Sequence, residues 1–461
     1  MLKQLLTGIA LFLSIYYVIS FNSQILSNEN VGVPAQLSVF GTLTILFFGN
    51  ITGAWLTRTG LLIAPAVGIS AFFAAYVSKT SLTWQEALFS CVIAGIAFFL
   101  FSLNSENRKG LIESLPHPVR MGAKASIGSL LTFTGLDVLQ NAISDNASEQ
   151  IVYIGAFISF FIFISFSLAR RAIDSFSIGP KTKFLLHTIF RTEFLISVVI
   201  MTMMLSKFLP GYMNSLNVIN SASLPFFDVV PIIFPLSFES FALSMVLSVV
   251  VFMILITDIP GTPPEVLPES PDRNTKWNKD DATRRGFLND SIFSFFSPMF
   301  GTTPSIYYAE NLITKEESVF GRAVAFPTIF ASGVLLFFLL FSEYLGIGPI
   351  DINQILPPAA VAPIIIYVGI VVIAISFLGA EDSKETRQDE VDTPIHFYFP
   401  TAIAVILTPR IGIEMSFPLS ILVFWFAHWF SGREKPKLQF VYLSIASAII
   451  VVVYTALWLL D

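Results

Sequence analysis

Two stretches of this chain set apolar, membrane-like sequence against residues that cannot run as plain helix: residues 61–78, LLIAPAVGISAFFAAYVS, and residues 299–314, MFGTTPSIYYAENLIT. Each places a Pro and a Gly beside small or hydroxylated residues, ahead of an aromatic-rich run expected to be helical. In hydrocarbon an unpaired backbone N–H or C=O costs several kcal/mol, so irregular backbone at that depth survives only when it is buried in protein or lines a cavity. One interrupted segment in each half of a membrane chain is the pattern of a transporter's substrate site. The pair predicts two kinked elements that meet around a polar pocket.

Composition agrees with that setting. Of 461 residues, 54% are hydrophobic and only 13% charged, against about a quarter charged in soluble domains, so most of the chain must face lipid or other spanning helices. The start, MLKQLLTGIALFLSIYYVISF, has no small-residue cleavage site and continues as an apolar helix, which makes it the first span rather than a signal peptide. The single Cys91 excludes disulfides within the chain, and His117, His187, His396 and His428 lie far apart without metal-ligand spacing. No HExxH, GxSxG or phosphate-loop pattern occurs, so neither an enzyme nor a cofactor is expected. Basic residues are sorted by loop rather than gathered in one patch, which argues against a nucleic-acid partner.

Apolar runs divide the chain into segments at 5–26, 36–57, 61–78, 84–103, 119–139, 150–169, 184–206, 236–257, 286–300, 301–314, 322–345, 357–378, 395–411 and 416–431, followed by a further helix at 438–460. With Lys3 on the cytoplasmic side, alternate loops collect Arg58, then Arg108, Lys109 and Arg120, then Arg170, Arg171, Lys181 and Lys183, while SNENVGVP, SDNASEQ and GIGPIDINQ on the other side are almost free of basic residues. Lys79, Lys207 and Arg410 are single exceptions near an interface. The charged, Pro-rich stretch from Gly261 to Arg285 fits a cytoplasmic linker after the eighth segment. Seven segments before about residue 225 start the second half in the opposite orientation, as an inverted repeat requires. The lack of long extramembrane domains suits a bacterial inner membrane.

Ionisable residues in such a setting are functional candidates, because an unpaired charge there is costly. Glu310 follows the break GTTPS and suits a carboxylate that accepts the N–H groups of a polar substrate and exchanges a coupling proton; Lys315 shortly after it also allows a snorkelling residue at a helix end. Asp258 ends the apolar run VLSVVVFMILIT, either facing Glu310 across the pocket or capping an ordinary helix end before Pro260, Pro263 and Pro264. Asn22 interrupts the first span, where an amide either bridges helices or faces substrate, the bridge being favoured. Ser70, Phe72 and Phe73 follow the break at Pro65 and Gly68; a ring there could stack on a planar ligand, although Phe, with 47 copies, more often packs core or lipid. Tyr307 and Tyr308 share that ambiguity. Asp290, in GFLNDSIFSFF, either is buried or pairs with Arg284 and Arg285.

These residues resemble the nucleobase/ascorbate transporter superfamily, and within it the AzgA-like branch of purine permeases. SIYYVISFNSQIL is similar to the branch's TMAYILFVNPxIL and matches Asn22; APAVGISAFFAAYV followed by TWQEAL is similar to APGMGLNAFFxYTV with SWQxAL. FGTTPSIYYAEN is similar to LGTSTVTSYIES, which sets Thr303 in the motif, Tyr308 on its tyrosine and Glu310 on its glutamate. Further likenesses at Leu115–Leu136, Gly321–Arg322, Ala362–Gly369 and the FPTAIAVILTPRIGIEMSF stretch extend the resemblance over nearly the whole chain in order. It implies an all-α polytopic membrane protein of about fourteen segments in two inverted repeats of seven, residues 1–225 and 226–461, each giving a core part of four segments and a gate part of three. Segments three and ten would each be part strand and part helix, with substrate between them. The chain departs from the branch at Ser70 for Asn, Ala66 for Gly, and DIPGTPP for DxFDTxGT, which leaves Asp258 but puts Gly261 at the second Asp.

The resemblance implies import of a purine nucleobase such as hypoxanthine, guanine or adenine by proton symport. Substrate would be bound by Glu310, Asp258, Ser70, Phe72, Phe73, Thr303, Tyr308 and Asn22, with Glu310 and Asp258 carrying the coupling proton. Such coupling is physically reasonable, because a carboxylate in a low-dielectric cavity can titrate near neutral pH. Sodium coupling, another small planar or anionic solute (xanthine, uracil or a sulfate-like anion) and a non-transporting receptor stay open, as does a homodimer, since lipid-facing and partner-facing Phe and Leu look alike.

Overall fold

The structure, a computed structural model, describes residues 1–103, 117–144, 149–175, 186, 193–208, 233–257, 266–267, 279–311, 314–315, 319–341, 357–378, 394–430, 444–445, 447–452 and 455. The first span is α1 (Leu2–Ile15) and α2 (Tyr17–Leu26); the second is α3 (Ala35–Thr44), a π-helical turn at Ile45–Gly49 and α4 (Asn50–Thr57). Next come β1 (Ile63–Pro65), α5 (Val67–Val77) and α6 (Trp84–Leu103), then α7 (His117–Ser144), α8 (Glu149–Ser175), α9 (Glu193–Phe208) and α10 (Phe238–Thr257). The second half continues with α11 (Lys279–Phe296), β2 (Ser305–Tyr307), a 3-10 turn at Ala309–Asn311, α12 (Phe326–Phe341), α13 (Pro358–Leu378), α14 (Pro394–Ile411) and α15 (Ile413–Phe430).

Local sequence explains several of these boundaries. Thr83 and Glu86 form a reciprocal capping box at the start of α6, with the Thr83 N–H donating to Glu86 Oε2 at 3.0 Å and the Glu86 N–H to Thr83 Oγ1 at 3.4 Å. Pro34 precedes α3, where its missing N–H costs nothing, and Gly412, at φ +78°, separates α14 from α15 by taking the left-handed conformation. Among the described residues, Leu2–Leu26, Ala35–Thr57, Trp84–Leu103 and Phe238–Ile256 are helical stretches long and apolar enough to cross a membrane. The outward faces carry Trp55, Phe157, Phe161, Phe330 and Ile406, while Asn22, Thr42, Asn50 and Ser126 are fully enclosed. Apolar outside and hydroxyl or amide inside is the arrangement lipid selects, because the bilayer offers polar groups no partner.

β1 and β2, one from each half, pair antiparallel with Ile63 opposite Tyr307 and Pro65 opposite Ser305. α7 packs along α13, the fifth segment against the twelfth, and α6 packs on α11 as α12 packs on α3 and the π-turn. Each contact is reproduced by its counterpart seven segments on, which is the signature of an inverted repeat. The α7–α13 crossing is held close by glycine: a Cβ at Gly128 would lie 2.7 Å from the Gly369 carbonyl oxygen, and one at Gly135 would lie 2.6 Å from Ile366.

The structure departs from expectation in three places. α11 begins at Lys279, so the charged stretch ahead of 286 is already helical, with Arg285 paired to Asp281 at 2.8 Å on successive turns. The linker is not wholly hydrophilic, since Val266 and Leu267 are buried against Leu61, Ile63, Ala282 and Tyr307 beneath the strands. Gly68 lies inside α5 and takes no part in the break; it lets α7 approach, because a Cβ there would sit 2.5 Å from Ile127. The tenth segment follows its strand with a 3-10 turn, in which Asn311 uses its amide to pair with Leu62, and Thr314 and Lys315 beyond it are helical, so the segment is part strand and part helix as expected. Asp258 and most of 438–460 lie outside the described residues.

Candidate functional site

β1 runs through the interior between its partner strand and two amide side chains. Toward β2, the Ala66 N–H donates to Pro304 O at 2.9 Å and the Tyr308 N–H to Leu62 O at 3.4 Å. At Ile63 the outward N–H and C=O both bond to the Asn50 amide, at 2.8 and 3.0 Å, and Leu62 is bonded twice by Asn311, at 2.9 Å each. Pro65 brings no N–H to satisfy, and its carbonyl oxygen accepts from the Tyr308 hydroxyl at 2.6 Å. An isolated two-stranded pair is thus stable in a dry interior because side chains stand in for the neighbouring strands it lacks.

The strand pair gathers a polar cluster. The Asn22 amide donates to Thr42 Oγ1 at 2.9 Å and to Thr302 Oγ1 at 2.6 Å, its carbonyl oxygen accepts from Ser70 Oγ, and Ser70 shares a hydrogen bond with Thr303. All five side chains are completely buried, and they tie the first, second, third and tenth segments together at the N-terminus of α5. Of the residues expected at the site, Asn22, Ser70 and Thr303 are therefore brought into direct contact. Asn22 does bridge helices.

Glu310 occupies the 3-10 turn after β2, packed beside α1 and only half-buried. It and Tyr308 are the electrostatic neighbours of the buried Tyr17, on the α2 helix that also carries Asn22. Phe72 and Phe73 are fully enclosed in the hydrophobic core, Phe72 tilted against Tyr76 with ring centroids 5.8 Å apart.

Sequence reasoning missed Thr42, Asn50, Asn289, Thr302 and Asn311. Each is a buried amide or hydroxyl in an apolar run, and that position was the available signal. Asp290 is buried at 4% exposure, with Ser305 Oγ 3.5 Å from its carboxylate, while Arg285 pairs with Asp281. Ser294 Oγ donates to Ser305 O at 2.7 Å, so β2 is braced from α11 as β1 is braced from α4.

No family model matches the chain. Among curated proteins it is similar to the nucleobase transporter PlAzg2 of Paenibacillus larvae, 33% identical over 136 residues, 29% of this chain and 26% of that protein. It is 29% identical over 137 residues to the guanine/hypoxanthine permease PbuO of Bacillus subtilis, covering 29% and 31% of the two chains, and 27% identical over 134 residues to the adenine permease AdeQ of Escherichia coli, covering 29% and 30%. The chain thus matches about a third or less of the length of these relatives. In fold it is similar to the transmembrane domain of a cyanobacterium bicarbonate transporter BicA, with a TM-score of 0.55 and 16% identity over 91% of this chain and 96% of that one. Over the matched stretch the chain is thus similar to curated nucleobase permeases, and its architecture is that of a transporter's transmembrane domain.

Proposed function

We propose that this protein is a secondary-active transporter that imports a purine nucleobase, hypoxanthine, guanine or adenine, by proton symport, and is not an enzyme. The observation that carries the reading is the half-buried Glu310 carboxylate, set beside Tyr17 and Tyr308 at the end of the strand pair, in a chain whose curated relatives are named as nucleobase permeases. A purine presents N–H donors along one edge. A carboxylate accepts such donors, and the two tyrosines supply hydroxyls that both donate and accept. Glu310 would hold the base and the coupling proton in turn, with Asp258 as the second carboxylate. Asn22, Ser70 and Thr303 would fix the α5 N-terminus at the pocket, and Phe72 or Phe73 would lie near the face of the base.

The first four segments of each repeat, within 1–225 and 226–461, would form the core and the last three the gate, rocking against each other to alternate access in a bacterial inner membrane with the N-terminus in the cytoplasm. The experiment is uptake of radiolabelled hypoxanthine, guanine, adenine, xanthine and uracil into cells lacking their own permeases, with and without a protonophore, and with sodium replaced. Accumulation of a purine that the protonophore abolishes is the expected result. No uptake of any base by well-expressed, correctly inserted protein defeats the proposal, and loss on sodium replacement alone reassigns the coupling ion.

A further inference from the structure

The second span contains a π-helical turn, Ile45–Gly49, immediately before Asn50. Such a turn inserts an extra residue into the helical ladder, rotates the residues after it and frees a carbonyl, and it is frequent at functional sites. Here the fully buried Asn50 uses the result completely. Its Nδ2 donates to Leu46 O at 2.8 Å, inside the turn, and to Ile63 O at 3.0 Å, while its Oδ1 accepts from the Ile63 N–H at 2.8 Å. Gly49, the last residue of the turn, lets the helix close on the strand, because a Cβ there would lie 2.8 Å from the Ile63 side chain. The other face of the turn is pinned to the second half of the molecule. Asn289 Nδ2 donates to Gly49 O at 3.1 Å, and Thr52 Oγ1 donates to Asn289 Oδ1 at 2.7 Å.

We infer that Asn50 is a positioning residue for transport: the π-turn aims its amide at the open edge of β1, and the amide holds the strand, and with it Pro65, Tyr308 and the start of α5, in the geometry the pocket requires. This deepens the transport reading and rests on it for its functional half. Asparagine suits the task because one planar group carries both the acceptor for an N–H and the donor for a C=O, as a neighbouring strand would. An aspartate keeps only the acceptor and a glutamine is one methylene too long.

The test uses the protein in nanodiscs, comparing wild type, Asn50→Ala, Asn50→Asp and, as a control in the first turn of α4, Thr52→Val, which loses the bond to Asn289 and leaves the contact with β1. Amide hydrogen exchange in the peptide covering 61–66 is expected to speed up by about tenfold or more in Asn50→Ala and by less in Asn50→Asp, with Thr52→Val like wild type. In uptake assays KM for the transported base is expected to rise about tenfold in Asn50→Ala at unchanged surface level, with Asn50→Asp intermediate. Unchanged exchange in both Asn50 variants overturns the inference, and so does faster exchange with unaltered KM. Should Asn50→Ala fail to insert, Asn50→Asp decides by the same readings. Wild-type protein that transports no base defeats the functional reading, whereas the hold on β1 is then judged by exchange alone.

Discussion

Glu310 and the hub around Asn22 ask different things of a side chain. Glu310 is half-buried beside Tyr17, so replacing it exposes what its charge does rather than what its packing does. Glu310→Gln keeps the shape and removes both the charge and the exchangeable proton. Uptake driven by a proton gradient is expected to fall to background, with protein level and thermal unfolding unchanged; gradient-driven uptake at wild-type rate in this variant would show that another group carries the proton. The Asn22 amide, by contrast, is the common partner of Thr42, Thr302 and Ser70. Asn22→Ala strands the enclosed hydroxyls of Thr42 and Thr302, while Ser70 keeps Thr303 and the Ala66 carbonyl, and each unsatisfied buried polar group costs about 1–3 kcal/mol. A clear drop in the melting temperature of purified protein is expected, and scanning fluorimetry in detergent with and without hypoxanthine checks it.

The strand pair is the element on which the molecule turns, and its survival in an apolar interior depends on side chains that complete its hydrogen bonding. Asn311→Leu leaves the N–H and C=O of Leu62 with fewer partners, one acceptor lost and the carbonyl keeping only Tyr308. The variant is expected to lose stability by roughly 2 kcal/mol, seen as a lower melting temperature and faster exchange at 61–66, whereas Asn311→Asp keeps the bond to the Leu62 N–H and loses less. How far this element was legible follows from what made it visible. Pro65, Pro304 and Gly301 in apolar surroundings announced two interruptions, and the hydroxyls of Ser70 and Thr303 beside them pointed to a polar pocket. The partners that make the interruptions affordable, Asn50 and Asn311, stand 13 and 249 residues from the backbone groups they serve, and no local pattern records so distant a pairing. Gly68 was assigned to the break because it stands near Pro65, although the space it leaves belongs to Ile127 on another helix.

At the scale of the whole molecule, transport by rocking requires α5, from the proposed core, to move past α7, from the proposed gate. These helices touch where Gly68 meets Ile127. A Cβ built on Gly68 would lie 3.7 Å from the Cβ of Ile127, within the range of about 3.5–4.5 Å that a disulfide spans. A covalent link there would fasten core to gate in the conformation the structure records while leaving the strand pair, Glu310 and the Asn22 cluster untouched. The lone native thiol, Cys91, is fully buried on α6 and is replaced by Ala to keep the readout clean. In that background the double variant Gly68→Cys with Ile127→Cys is expected to cross-link on mild oxidation, visible as loss of thiol labelling. Base uptake should fall to background when oxidised and return on reduction, while the single variant Ile127→Cys, which leaves Gly68 in place, transports in both conditions. Binding of base to the cross-linked protein should persist if the recorded conformation holds the pocket open to one side, because the link stops the exchange of access and not the recognition. Full uptake by protein that is demonstrably cross-linked would mean that α5 and α7 travel together, and the boundary between the moving parts would then have to lie elsewhere, between α2 and α13 or between α10 and α15, where the two groups of helices also meet.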